Sequence, residues 1–199
     1  MVKQIAAVGL LVVGMAVPAS ATTITYLVTA IVSGSTFQPL YLPGSTLTAL
    51  LTFDPNVADA APQDLNTAQY PGALLSYSFA INGSTLITES NPIEVDVSAS
   101  PHNVFAEGTF LTPFSILGQQ LSTFQFSLLG GPGQPSDAFF IPTDVSAYPL
   151  AYLNLNDGLA FVQLGGYITS IQLVPEPSLA ALLASGALGA FIALRRRAS

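Results

Sequence analysis

The 199-residue chain contains no cysteine, no tryptophan and a single histidine, and only four of its residues are lysine or arginine. Without cysteine the chain has neither disulfide bonds nor thiol chemistry, so packing and hydrogen bonds must stabilise its fold. Because His102 is the sole histidine, a metal site can include at most one imidazole ligand. A Gly-x-Ser-x-Gly nucleophile elbow and a phosphate-binding glycine loop are absent as well.

The four basic residues lie at the two ends of the chain, as Lys3 and the block Arg195-Arg196-Arg197. Residues 22–174 contain no lysine or arginine but hold ten of the eleven carboxylates, so this segment has a formal charge of −10. Contact with phosphates requires cationic side chains, and this segment therefore lacks the means to bind nucleic acid. Salt bridges between Lys or Arg and a carboxylate are excluded within it for the same reason.

The N-terminus has the three parts of a secretory signal. Lys3 supplies a positive start, residues 5–17 are apolar, and Ala19-Ser20-Ala21 provides the small residues of a cleavage site. We predict that residues 1–21 are a removed signal peptide, with Ala19 and Ala21 at the cleavage site. The remaining residues 22–174 are enough for one exported domain with its own hydrophobic core.

The C-terminus combines Pro175-Glu176-Pro177, an uncharged apolar run over residues 178–194, and the arginine block. Pro175 and Pro177 cannot continue a helix towards the N-terminus, so a helix must begin after them. The length of the apolar run is close to the lower limit for a membrane-spanning helix, about 17 residues. The arginines beside it would keep the end of the chain on the cytoplasmic side.

This tail, residues 175–199, resembles the PEP-CTERM sorting signal of bacterial surface proteins. The resemblance implies that an exosortase, a membrane protease, recognises Pro175, Glu176 and Pro177 together with the transmembrane helix and with Arg195, Arg196 and Arg197. It also implies a precursor anchored in the inner membrane, which is then delivered to the cell surface or extracellular matrix of a bacterium that makes exopolysaccharide. A permanent single-pass anchor and a buried helix of a soluble protein are the alternative interpretations.

Short alternating segments separated by Pro, Gly and Asn predict that residues 22–174 form an all-β domain. Asn82-Gly83 is a strong hairpin signal, because both positions of a tight turn must tolerate positive φ. We expect an antiparallel β-sandwich or jelly-roll-like domain, with a long loop over residues 54–72. The predicted strands span residues 22–32, 47–53, 76–81, 84–88, 93–98, 103–110, 124–128, 149–154 and 159–174.

The predicted 54–72 loop contains a group of oxygen-bearing side chains: Asp54, Asn56, Asp59 and Asp64. Oxygen ligands suit Ca²⁺, so these residues are the candidate calcium site. The same residue types are also ordinary turn formers, which is the competing interpretation. A second oxygen-rich tip, with the same two interpretations, consists of Asn154, Asn156 and Asp157.

Glu94 and Asp96 project from one face of a predicted strand, where a pair of carboxylates can serve acid/base chemistry on a glycoside or be solvated. His102 lies in a Ser-Pro-His-Asn sequence that predicts a solvated turn rather than a catalytic histidine. The tyrosines expected in loops are candidates for stacking on sugars, or for packing against those loops: Tyr41, Tyr70 and Tyr148.

These features predict an exported surface or matrix protein that is not an enzyme and needs no cofactor. Its expected partners are the exosortase, the inner membrane before processing, and exopolysaccharide afterwards. One alternative is a carbohydrate-binding or calcium-dependent adhesive module, which requires converging Asp and Asn side chains beside an exposed aromatic ring. The other is a polysaccharide hydrolase, which requires two carboxylates facing each other across a cleft.

Overall fold

The computed structural model describes residues 23–37, 41–64, 66–133, 139–159 and 163–175. These residues form nine antiparallel strands and a single 3₁₀ turn at Val145–Ala147. The strands are β1 (Ile24–Ser35), β2 (Thr46–Phe53), β3 (Thr67–Ile81), β4 (Ser84–Glu89), β5 (Ile93–Ala99), β6 (His102–Ile116), β7 (Gln119–Gly131), β8 (Leu150–Asn156) and β9 (Gln163–Val174). The predicted all-β class with antiparallel strands is confirmed.

Eight of the strands close into a barrel. Their order is β2–β1–β9–β8–β7–β6–β5–β3, and β3 pairs with β2 to complete the ring. Strand β4 pairs with the second half of β3 and lies outside the ring. The expected separation into two sheets, as in a sandwich or jelly roll, is therefore corrected: one continuous sheet closes on itself.

The closure depends on β3, which changes partners along its length. Its first half pairs with β5 and its second half pairs with β2. Pro71 and Gly72 lie at the change, where the register with β5 shifts and Gly72 has a φ of +75°. Proline has no N–H for the ladder and glycine tolerates positive φ, so the pair bends the strand without ending it. Pro and Gly are also typical of loops, so the first half of β3 was predicted as part of the 54–72 loop.

Three tight hairpins connect neighbouring strands, and one of them, at Ser100-Pro101, joins β5 to β6. Asn82 and Gly83 have φ values of +47° and +81° and join β3 to β4, as the sequence predicted. Leu117 and Gly118, with φ values of +52° and +79°, join β6 to β7 in the same way. The Leu117-Gly118 hairpin was not predicted, and both of its strands extend several residues beyond the expected bounds.

The barrel interior is filled by every second side chain of its strands. Phe53, Phe79, Phe124 and Phe126 have no exposed surface, and the ring centroids of Tyr77 and Phe124 lie 4.6 Å apart. An eight-stranded barrel has an interior just wide enough to be filled by side chains in this way. Surfaces that can bind another molecule must therefore be sought outside the barrel or at its ends.

The first and last strands of the barrel are neighbours. Strands β1 and β9 run antiparallel, and Thr25 lies opposite Val174. The described chain therefore enters and leaves the barrel at the same end. Strand β1 begins at Ile24, shortly after the predicted signal cleavage site, and β9 ends at Val174, directly before Pro175.

Candidate functional site

Most of the predicted targeting residues lie outside the described part of the chain. These are residues 1–21, with Ala19 and Ala21, and the tail residues Glu176, Pro177, Arg195, Arg196 and Arg197 with the predicted helix 178–194. Pro175 is the last described residue and is exposed next to the end of β9. Within the described ranges, no helix combines the length and apolar character needed to cross a membrane.

The carboxylates of the candidate calcium loop bind their own backbone. The Oδ1 atom of Asp54 accepts a hydrogen bond from the N–H of Asn56 at 2.9 Å. The Oδ1 atom of Asp59 accepts from the N–H groups of Ala61 and Gln69 at 2.8 and 2.9 Å. These are the local bonds by which aspartate shapes turns.

Asp64, the last aspartate of the candidate calcium loop, also accepts hydrogen bonds from neighbouring residues. Its Oδ1 atom accepts from the N–H of Asn66 at 2.9 Å, and its Oδ2 atom accepts from the hydroxyl of Thr67 at 2.6 Å. These hydrogen bonds, led by that from Thr67, lower the pKa of Asp64. Across the described ranges, no three His, Cys, Asp or Glu residues come together as a metal-ligand group.

The second oxygen-rich tip is also built from turn contacts. The side-chain oxygen of Asn156 accepts from the N–H of Gly158 at 2.8 Å, and Asp157 accepts from the N–H of Leu159 at 2.9 Å. Asn154 lies two residues before Asn156 on the same outward face of β8, but its side-chain oxygen lies against Gly165 of β9 and takes no part in these turn contacts. The oxygens of Asn156 and Asp157 are thus used within the turn itself.

Asp96 lies in a groove on the outside of the barrel, while Glu94 is exposed further along β5. The groove has a volume of about 570 Å³ and crosses β3, β5, β6 and the edge of β7. Its wall includes Thr67, Gln69, Asp96, Ser98, Asn103 and Phe105. Among the described residues that line it, Asp96 is the sole titratable group, whereas glycoside hydrolysis uses two carboxylates.

The Oδ1 atom of Asp96 is inaccessible to solvent and has no hydrogen-bond partner among the described residues. Burial raises the pKa of this carboxyl, because a charged group loses its hydration there. Its neighbours in the sheet are Gln69 on β3 and Phe105 on β6. Asp96 is thus a desolvated acid without an acidic partner in its groove.

His102 is buried rather than solvated, so the predicted turn histidine is wrong. It is the first residue of β6, has no exposed surface, and its Nδ1 lies 2.5 Å from the hydroxyl of Tyr148. Its Nε2 atom is buried without a hydrogen-bond partner in the described part of the chain. Burial lowers the pKa of His102, which favours the neutral imidazole.

The physical reason is that β6 starts one residue earlier than the sequence analysis placed it. His102 then shares the two-residue period of Val104 and Ala106, which also face the interior. Gly131 lies opposite His102 on β7, and a side chain there would overlap the ring of Tyr148. This alternation was visible in the sequence and was masked by the turn signal of Pro101.

The three tyrosines considered as sugar platforms are packed against the protein. Tyr70 is buried with its ring centroid 5.3 Å from that of Phe139, and Tyr148 is buried beside His102. Tyr41 is half-buried beside Phe37. This packing is the alternative to sugar stacking that the sequence left open.

A second groove, which the sequence analysis did not identify, lies on the outer face of β7, β8, β9 and β1. It has a volume of about 360 Å³, and its wall includes Ser33, Gln125, Leu150, Tyr152, Asn154 and Tyr167. Tyr167 exposes 61% of its surface. The outward positions of Tyr152 and Asn154 follow from the alternation in β8, but their neighbours depend on strand pairings that sequence alone does not define.

Comparisons with known protein families, with curated proteins and with solved structures found no match to this chain. The functional interpretation therefore depends on the residues and on the geometry described above.

Proposed function

We propose that the protein is an exported, non-enzymatic β-barrel that a C-terminal sorting signal delivers to the cell surface or extracellular matrix. The tail of residues 175–199 carries this proposal, through its similarity to exosortase-dependent sorting signals. The precursor would be held in the inner membrane by the helix at residues 178–194, with Arg195, Arg196 and Arg197 on the cytoplasmic side. Exosortase would then recognise Pro175-Glu176-Pro177.

The first and last residues of the barrel support the separation of the chain into a folded domain and two targeting segments. Strand β1 begins three residues after Ala21, and β9 ends one residue before Pro175. The barrel thus needs neither predicted targeting segment to complete its ring of strands. Because Thr25 and Val174 lie opposite each other, both segments would leave the barrel at one end, so the opposite end is free to face away from the membrane.

The charge distribution supports the same separation of the folded domain from the targeting segments. Every lysine and arginine of the chain lies in the two predicted targeting segments, where positive charge directs insertion and orientation. The segment between them is acidic throughout, with its formal charge of −10. A large net charge of one sign favours solubility and opposes self-association, as an exported domain requires.

Calcium-dependent adhesion and polysaccharide hydrolysis, two of the functions considered from the sequence, receive less support. Calcium-dependent adhesion draws on Asp54, Asp59 and Asp64, whose carboxylates accept hydrogen bonds from their own loop. A polysaccharide hydrolase draws on Asp96, whose groove offers no second carboxylate among the described residues.

The sorting proposal is tested by replacing Pro175, Glu176 and Pro177 with alanine in a host that has an exosortase. The variant should stay uncut in the inner membrane, because the apolar run and the arginines still stop transfer. Fractionation and immunoblotting would locate it. The matched control is Pro62→Ala, a change at an exposed proline in the loop before β3, which should leave delivery unchanged.

Deleting the exosortase of the host should give the same uncut precursor as the triple variant. If the triple variant still reaches the surface at the normal rate, recognition at this motif is refuted. A normal chain that stays in the membrane at full length would instead identify residues 178–194 as a permanent anchor.

A further inference from the structure

Two tyrosines lie side by side on the outer face of the barrel. Tyr152 on β8 is directly opposite Tyr167 on β9, at a separation of about 5 Å between Cβ atoms for residues paired in this way. Leu153 and Ile168, the next residues along the two strands, are buried in the core, which fixes both tyrosines on the outside. Since Tyr167 exposes 61% of its surface, the pair presents an apolar platform to solvent.

Two carboxamides flank this platform. Gln125 on β7 lies directly opposite Asn154 on β8, and Asn154 is two residues from Tyr152 on the same face. Neither side chain forms a hydrogen bond with another described residue. Each carboxamide offers two N–H donors and one carbonyl acceptor, so the groove holds unused donors and acceptors next to exposed rings.

Gly165 gives the Asn154 carboxamide its space. It lies opposite Asn154 across β8 and β9, and the side-chain oxygen of Asn154 occupies the place that a Cβ at Gly165 would take. Glycine is unusual inside a strand and often marks a place where another group approaches the backbone closely. Here the missing side chain leaves the space that the Asn154 side-chain oxygen occupies.

The groove is uncharged within an acidic domain. Its described lining consists of aliphatic, aromatic, amide, hydroxyl and glycine groups, while residues 22–174 carry ten carboxylates and no lysine or arginine. An anionic ligand would be repelled by the domain and would find no cation to bind. A cationic ligand would be attracted by the domain at long range but would find no carboxylate in the groove to bind it. The chemistry therefore selects a neutral ligand that has both apolar faces and hydrogen-bonding groups.

We propose that the groove formed by Gln125, Tyr152, Asn154 and Tyr167 binds a neutral polysaccharide. The C–H faces of sugar rings would pack on the two tyrosines, and sugar hydroxyls would exchange hydrogen bonds with the carboxamides. The volume of about 360 Å³ lies within the usual range for ligand sites, and its place on the outer face leaves room for a chain to continue beyond it. This binding does not depend on how the protein is sorted.

The test is electrophoresis of the full chain in native gels that contain a soluble polysaccharide. The protein would be solubilised in a polyoxyethylene detergent, which has no sugar headgroup to compete for the groove. Dextran, galactomannan and hydroxyethyl cellulose are the neutral probes, and alginate is the anionic one. We expect at least one neutral probe to retard the protein and alginate to leave it unretarded.

Two variants test the location of the site. Tyr167→Ala removes the exposed ring, and Gly165→Ala displaces the Asn154 side chain without removing any group that touches the ligand. Each should weaken binding about tenfold or more, while circular dichroism shows an unchanged β-rich spectrum. The control is Phe140→Ala, which removes an exposed ring outside the groove and should bind as the unmodified protein does.

Three results would overturn the proposal. The first is retardation by none of the three neutral polysaccharides. The second is equal retardation by alginate, which would show that the uncharged lining does not select the ligand. The third is retardation that Tyr167→Ala leaves unchanged while its spectrum stays native, which would place binding on another surface.

Discussion

The hydroxyl of Tyr77 donates a 2.7 Å hydrogen bond to the carboxylate of Glu89 and thereby ties the barrel core to the strand outside the ring. The N–H groups of Leu111 and Thr112 donate to the same carboxylate at 2.8 Å each. Glu89 thus connects β3, β4 and β6. Burial alone would raise the pKa of Glu89, but these hydrogen bonds outweigh it and hold that pKa below its ordinary value.

Replacing Glu89 with glutamine should lower the free energy of unfolding at pH 7 by about 1–3 kcal/mol, because hydrogen bonds to a charged acceptor are lost. Because the pKa of Glu89 is lower in the folded protein, its stabilising effect is fully present above the pKa of the unfolded chain, about 4.3. The effect is lost as the pH falls through the pKa of the folded protein. The difference between the two proteins should therefore shrink below about pH 4. Denaturant titrations at several pH values would measure it.

The control for that substitution is Glu94→Gln, an exposed carboxylate on β5. Its effect should stay within about 0.5 kcal/mol, as is usual for surface positions. Equal losses for the two variants would show that the contacts of Glu89 contribute nothing beyond those of a surface charge.

Neutral, buried His102 should make the protein less stable as the pH falls. Its pKa is lowered by burial, so the unfolded chain takes up a proton below about pH 6.5 while the folded protein resists. The contribution of neutral His102 to the free energy of unfolding is fully present above about pH 6.5, and it declines as the pH falls towards the lower pKa of the folded protein. His102→Leu should remove this decline between pH 7.5 and 5.5, whatever its effect on stability at pH 7.5.

Thermal midpoints at closely spaced pH values would measure the decline. The control is Tyr148→Phe, which removes the hydroxyl beside Nδ1 but keeps the imidazole, and this variant should retain the pH dependence. A decline that persists in His102→Leu would have to come from other groups.

Asp96 should have the opposite effect on the pH dependence. Its pKa is raised by burial, so the folded protein binds a proton more readily than the unfolded chain. The protein should therefore gain stability as the pH falls from above the raised value towards the unfolded value of about 3.9. Asp96→Asn should be more stable than the unmodified protein at pH 7 and should lack this gain, as calorimetry would show. Glu107→Gln, exposed on β6, should keep the gain.

The aromatic core should be sensitive to truncation. Phe53→Ala and Phe126→Ala should each reduce the free energy of unfolding by about 3–5 kcal/mol, since both rings are wholly buried. Phe140→Ala, at a ring that is 51% exposed, should cost less than about 1 kcal/mol. Denaturant unfolding of the three variants would rank them, and equal losses would contradict the interior positions of Phe53 and Phe126.

Local patterns were enough to predict most strands but not how the strands assemble. Alternation around Phe53 and Phe79 identified β2 and the second half of β3, and Asn82-Gly83 located their neighbouring hairpin correctly. Barrel closure depends on the pairing of β3 with both β2 and β5. This pairing joins residues that are far apart in the chain, and no local sequence pattern predicts it. The Pro71-Gly72 bend marks this change of partner, and its signal is the same as that of a loop.

The candidate sites could be predicted only in part, because sequence alone does not give backbone geometry or strand pairing. Asp54 and Asp59 were recognised as oxygen ligands or turn formers, and only the backbone geometry shows that they shape turns. Tyr152 and Tyr167 lie in separate strands, so their position opposite each other depends on the register, and a slip of one residue would separate them. For His102, the strand period was present in the sequence, and the turn signal of Pro101 obscured it.

Thr25 and Val174 lie opposite each other, so the two ends of the barrel sequence are close in space. The order of the strands along the chain can therefore be changed without changing how the strands pair in the barrel. Joining the two ends through a short glycine-rich linker and opening the chain at Asn82-Gly83 would give a circular permutant that retains every strand pair. The new termini would then emerge at the edge strand β4, and both groove-lining faces would be left intact. Such a permutant would let the barrel be attached to a surface from a different point while the tyrosine groove stays unchanged.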